Sequence, residues 1–151
     1  MTVQEKVKEA MLDALRAKDN LRLTTLRSLV SGFVNYLVEN RQRPTEPLSD
    51  EKALEVIRRA AKQRRDSIAQ FEKGNRSELA AAEREELAII EAYLPPTMSE
   101  EELIPLVLAK IKELGVIDKT EAGKITGALL RDLKGKADGA VVKAVVDKLL
   151  A

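Results

Sequence analysis

The sequence contains no cysteine, no histidine and no tryptophan. Without cysteine there is no disulfide and no thiol nucleophile. Without histidine there is no imidazole acid–base chemistry, and losing both removes the usual zinc ligands. Neither a metal centre nor a cofactor is expected. Aromatic residues make up 3% of the 151 positions, so the core must be built from many aliphatic contacts. Glycine (7) and proline (5) are sparse, and charged residues reach 34%, which is the composition of a soluble, largely helical chain. No apolar run approaches the ~20 residues that span a bilayer. The first twenty residues carry acidic groups throughout and have no apolar stretch of the signal-peptide kind. Those acidic groups also argue against a transit peptide, and the expected location is cytoplasmic.

The net charge is only +1, but it is unevenly spread. Residues 1–44 hold eight basic and five acidic groups, and residues 121–151 hold six and four. Residues 45–95 hold nine and eleven. This imbalance is too weak to predict polyanion binding by itself.

Helical periodicity runs along the whole chain. Thr2 and Glu5 have capping-box spacing. Val7, Met11, Ala14 and Lys18 then step along a first helix. Leu26, Val30, Phe33 and Leu37 mark a second, and the two should pair as an antiparallel hairpin. Pro44 and Pro47 end the second helix in a polar loop expected to be mobile. Ser49 can cap a third helix carrying Leu54, Ile57, Ala61, Ile68 and Phe71, with Arg64 interrupting the seam. Asn75 with Glu78 can cap a fourth, whose apolar set reads Leu79, Ala82, Leu87, Ile90 and Leu94. Pro95-Pro96 is the sharpest break, and the domain boundary belongs there. Ser99 with Glu102 opens a fifth helix bearing Leu103, Val107, Ile111 and Leu114, which Pro105 should bend. Asp118 with Glu121 and then Asp138 can cap two more, carrying Ile125, Leu129 and Leu133, and then Val142, Val145 and Leu149. The expected fold is all-α: a bundle of about four helices over residues 1–95, then a three-helix domain over 96–151.

The chain holds no self-contained catalytic centre that can be read from its residues. Gly123-Lys124-Ile125-Thr126 resembles a phosphate loop in part, but Thr126 is one place late and Asp118 stands where the leading glycine belongs. No Gly-x-Ser-x-Gly elbow is present. Glu83, Glu85 and Glu86 lie on a charge-rich stretch and read as a solvated face.

Two basic clusters are candidates for binding. The first lies in and around Gly123–Gly139, where Gly123, Gly127, Gly135 and Gly139 alternate with Lys124, Arg131, Lys134 and Lys136, and Lys143 follows. Glycine admits another backbone at close range, and Lys and Arg neutralise phosphate. The competing reading is packing and capping glycines with ordinary solvated lysines. The second cluster is Arg58, Arg59, Lys62 and Arg65, with Arg64 among them. It is either an auxiliary phosphate contact or a salt-bridged helix surface, with Glu55 available to Arg58 or Arg59.

Arg64 to Leu103 resembles the middle of the YqeY-like proteins of the GatB/YqeY family, and Gly123 to Val146 resembles that family's C-terminal signature. Leu21 to Asn35 is compatible with its second helix. The family's C-terminal domain is similar to the tail of GatB, a subunit of the glutamine-dependent tRNA amidotransferase. That tail touches tRNA away from the chemistry. The resemblance therefore implies an accessory tRNA-binding module, with an amidotransferase or synthetase as a further partner. The family's label of carbon–nitrogen ligase with glutamine as amido donor would belong to the larger subunit. The alternative is a protein-interaction module docking on an amidotransferase, a synthetase or itself.

Overall fold

The computed structural model describes residues Met1–Leu150. Among them there is no β-strand, and the class is all-α. The order is α1 (Val3–Arg16), α2 (Asn20–Glu39), α3 (Asp50–Lys73), α4 (Ser77–Glu91), α5 (Glu100–Leu114), a 3-10 turn (Lys119–Glu121), α6 (Ala122–Leu133) and α7 (Gly139–Leu149). The chain divides into two compact units, Met1–Leu94 and the residues from Pro95 onward.

In the first unit, α1 starts on a complete capping box between Thr2 and Glu5. Val7, Leu26, Leu29, Phe33, Leu37, Ile57 and Ile90 form the buried centre. The polar loop before α3 is anchored: Leu48 is 2% exposed, and its N–H donates to Oε1 of the buried Gln4 at 3.0 Å. The Val3 N–H donates to Asp50 at 2.9 Å, tying the start of α1 to the start of α3. Two prolines read as mobility; the buried leucine behind them supplies the anchor.

The fourth helix differs from its expected pattern. Arg76, not Asn75, is the N-cap of α4, and no side chain caps it. Asn75 instead takes a left-handed conformation (φ 55°) after α3, a geometry that asparagine tolerates. The buried positions of α4 are Ala80 and Ile90, while Leu79 and Ala82 face solvent. In this orientation Arg64 meets two carboxylates of α4. Arg64 Nη1 lies 3.2 Å from Glu83 and 2.6 Å from Glu86. These side chains are only 25%, 19% and 20% exposed, so Glu83 and Glu86 are not a solvated face. An apolar-periodicity reading misses such a seam because its complementarity is electrostatic.

In the second unit, Leu103, Val107, Val116, Ile125, Leu129, Val142, Val145 and Val146 make a separate aliphatic core. The Ser99 hydroxyl accepts from the Glu102 N–H at 3.2 Å. Helix α5 runs unbroken through Pro105, whose side chain is exposed, leaving water free to satisfy the carbonyl deprived of its donor. Leu114, expected in the core, is 46% exposed at the helix end. Gly115 then reverses the chain in the left-handed region (φ 66°). Asp118 caps the 3-10 turn through the Thr120 N–H rather than opening α6 in a capping box with Glu121.

Candidate nucleic-acid interface

Helix α6 buries Ile125 and Leu129 on one face. At 100° per residue, Gly123, Lys124, Gly127 and Arg131 fall on the opposite arc. A Cβ built on Gly123 or on Gly127 would meet nothing within 4 Å. No neighbour within the fold therefore requires glycine at either position. Lys124 and Arg131 are exposed along one side of these glycines, and Arg131 Nε donates to the Gly127 carbonyl at 3.3 Å.

The turn after α6 carries Lys134 and Gly135, both with positive φ (31° and 79°). Two successive left-handed residues reverse the chain tightly enough for the Lys136 N–H to reach the Leu133 carbonyl at 2.8 Å. The Lys136 carbonyl accepts from the Met98 N–H at 2.8 Å, which ties this turn to the segment before α5. Ala137 inserts into the core and Asp138 caps α7 through the Ala140 N–H at 2.8 Å. A Cβ added at Gly139 would sit 3.5 Å from Leu130, an ordinary van der Waals contact. Lys134, Lys136 and Lys143 are exposed.

Charge pairing separates the two basic clusters. Asp132, next to Arg131, bonds to Lys110 of α5 at 2.8 Å, and Lys110 also meets Glu113 at 3.1 Å. That hydrogen bond holds the Asp132 carboxyl below its usual range and, with Glu113, raises Lys110. Among the described residues, Lys124, Arg131, Lys134, Lys136 and Lys143 have no carboxylate within ion-pair distance. In the other cluster Arg59 pairs with Glu55 at 3.4 Å and Arg65 with Glu91 at 3.0 Å. Only Arg58 and Lys62 remain without a carboxylate there among the described residues. Among the described residues no group of acidic side chains could hold a metal ion, and no helix is long and apolar enough to cross a membrane.

The chain is 38% identical over 111 residues to "Altered inheritance of mitochondria protein 41, mitochondrial" of Lachancea thermotolerans, covering 72% of this chain and 57% of that protein. The protein of the same name from Kluyveromyces lactis is 33% identical over 112 residues, covering 71% and 59%. That of Clavispora lusitaniae is 30% identical over 141 residues, covering 90% and 80%. The chain thus spans under two thirds of the length of the first two relatives. Residues 4–150 match the family described as YqeY-like protein, which takes in both units, and the chain belongs to that family.

Proposed function

We infer that this chain is an accessory RNA-binding module acting on tRNA, with no catalytic centre of its own. The supporting observation is the outer face of α6. Two glycines lie open there beside two exposed cations, Lys124 and Arg131, which among the described residues have no carboxylate within ion-pair distance. Glycine inside a helix costs roughly 1 kcal/mol relative to alanine. A surface that carries Gly127 where no neighbour requires glycine suits a sugar–phosphate backbone lying against the helix. Lys124 and Arg131 then meet phosphates along one side of the glycines, and Lys134, Lys136 and Lys143 extend the positive surface. The carbon–nitrogen ligase label fits a partner subunit that carries out amide transfer, with this chain holding tRNA beside it. A cytoplasmic location belongs to the same reading. The names of the relatives place those proteins in mitochondria, and the module requires only a compartment that holds tRNA.

Binding to total tRNA at two salt concentrations tests this. Wild-type affinity should fall steeply with salt, and Lys124→Ala/Arg131→Ala should flatten the log–log salt slope by about 2. Gly127→Ala should leave the fold intact and weaken binding. Unchanged tRNA affinity in both variants, or no wild-type binding at low salt, overturns the reading.

A second reading has its own observation. Ile104 and Leu108 lie one turn apart on the outer side of α5 with more than a third of their surface exposed. That apolar patch suits docking on an amidotransferase or synthetase. Under this reading, Leu108→Glu abolishes a complex on gel filtration with the purified partner and leaves tRNA affinity untouched.

A further inference from the structure

The first unit carries a groove that none of these readings uses. It has a volume of about 400 Å³ and runs between α2 and α3. That lies within the ~300–1,000 Å³ of small-molecule sites. The two helices approach closely at Gly32, where an added Cβ would come 3.0 Å from Val56 Cγ1. Gly32 and Val56, with Leu29 and Ala60, form a shallow apolar floor.

The rim is polar on both sides. Helix α2 supplies Ser28, Ser31 and Asn35 at helical spacing, and α3 supplies Arg59 and Gln63 one turn apart. Tyr36, partly exposed, adds a ring to the lining, and Glu39 a carboxylate. Among the described residues, the side chains of Ser28, Ser31, Asn35 and Gln63 make no hydrogen bond within the protein. The bonds recorded nearby are Thr25 to the Leu21 carbonyl, Asn40 to the Tyr36 carbonyl and Arg59 to Glu55. Two amides and two hydroxyls, all exposed, therefore stand at the rim free of internal bonds.

The chemistry of the lining narrows the ligand. Arg59 and Glu39 cancel in charge, and Glu55 already holds Arg59, so a polyphosphate finds no excess of positive charge. An apolar floor takes the face of a planar ring. Primary amides on opposing walls match the edge of a heterocycle, because each presents one donor and one acceptor group side by side. A phenol ring offers a stacking face. We propose that the α2–α3 groove is a nucleobase site, its floor at Gly32, Val56 and Ala60 and its edge contacts from Asn35 and Gln63. The base arrives either as a free nucleoside or as an unpaired base of an RNA strand. This site is independent of the α6 surface and stands or falls separately from it.

NMR titration of the full chain tests the site. Adenosine, guanosine, cytidine and uridine are each added while the side-chain amides of Asn35 and Gln63 and the Tyr36 ring are followed. At least one nucleoside should give saturable shifts confined to α2 and α3. Asn35→Leu and Gln63→Leu should each weaken that binding at least tenfold. Both residues are exposed, and an unchanged amide spectrum elsewhere verifies folding. A single-stranded oligonucleotide shifting the same resonances with at least tenfold higher affinity identifies a base within a strand as the occupant. Equal affinity identifies the free nucleoside. No saturable shift with any nucleoside or oligonucleotide, or undiminished binding in both variants, overturns the proposal.

Discussion

Gly32 and Gly127 both lie inside helices, yet their surroundings differ enough to reverse the effect of one methyl group. At Gly127 an added Cβ meets open space. Gly127→Ala should therefore stabilise the second unit by about 0.5–1 kcal/mol through helix propensity alone. At Gly32 the new carbon would stand 3.0 Å from Val56, a β-branched residue with few alternative rotamers and 8% exposure. Overpacking of this kind costs about 1–3 kcal/mol, more than the propensity gain. Gly32→Ala should lower the urea midpoint, and should do so far less in a Val56→Ala background. Destabilisation by Gly127→Ala would mean that the outer face of α6 has a contact within the fold after all.

Helices here are held to one another by charge as well as by aliphatic packing. Arg64 reaches from α3 to Glu83 and Glu86 of α4, and all three side chains are at least three-quarters buried. Arg64→Leu leaves two poorly solvated carboxylates facing an apolar group and should cost about 1–3 kcal/mol. Glu83→Gln/Glu86→Gln added to Arg64→Leu should recover part of that loss in urea denaturation. A fully additive triple variant would count against coupling. In the second unit, Lys110 of α5 bonds Asp132 of α6 at 2.8 Å. The Asp132 carboxyl is held below its ordinary 3.8, and Lys110 above its ordinary 10.5. A lowered carboxylate pKa adds stability above the unfolded value, lost as pH falls through the folded one. A raised lysine pKa adds stability below its unfolded value, lost as pH rises through the folded one. The link should thus act at full strength from about pH 5 to 9 and fade below about pH 4. Asp132→Asn should remove that acid-side decline from the pH dependence of unfolding of the second unit.

At the scale of the molecule, each compact unit closes its own core, one around Phe33 and Leu26 and the other around Leu103 and Val146. The second unit has roughly 55 residues, near the size at which a single core stops sufficing. We propose that the structural division is also a division of folding. Fragments 1–94 and 95–151 should each keep helical circular dichroism and unfold cooperatively. Limited proteolysis of the full chain should cut first within residues 93–99, on either side of the Pro95-Pro96 pair whose own bonds resist common proteases. A disordered 95–151 fragment would show that its core depends on the rest of the chain.

Local pattern determined much of this protein. The all-α class follows from periodicity that never shortens to two and from sparse glycine and proline. The caps at Thr2, Ser49, Ser99 and Asp138 were legible because capping needs only a short polar side chain at a fixed offset. The residues of the α6 face were legible too, but not the fact that they face outward with their glycines uncovered. What a glycine or a cation does depends on which neighbours come within a few ångströms. Those neighbours belong to other helices. For the same reason, tertiary structure alone decided that Glu83 and Glu86 turn inward to Arg64, that Leu79 and Leu114 stay exposed, and that Leu48 anchors its loop. It also decided that polar groups of α2 and α3, unremarkable along the chain, line a common groove. Periodicity reports the face a helix buries; only packing fixes what that face meets.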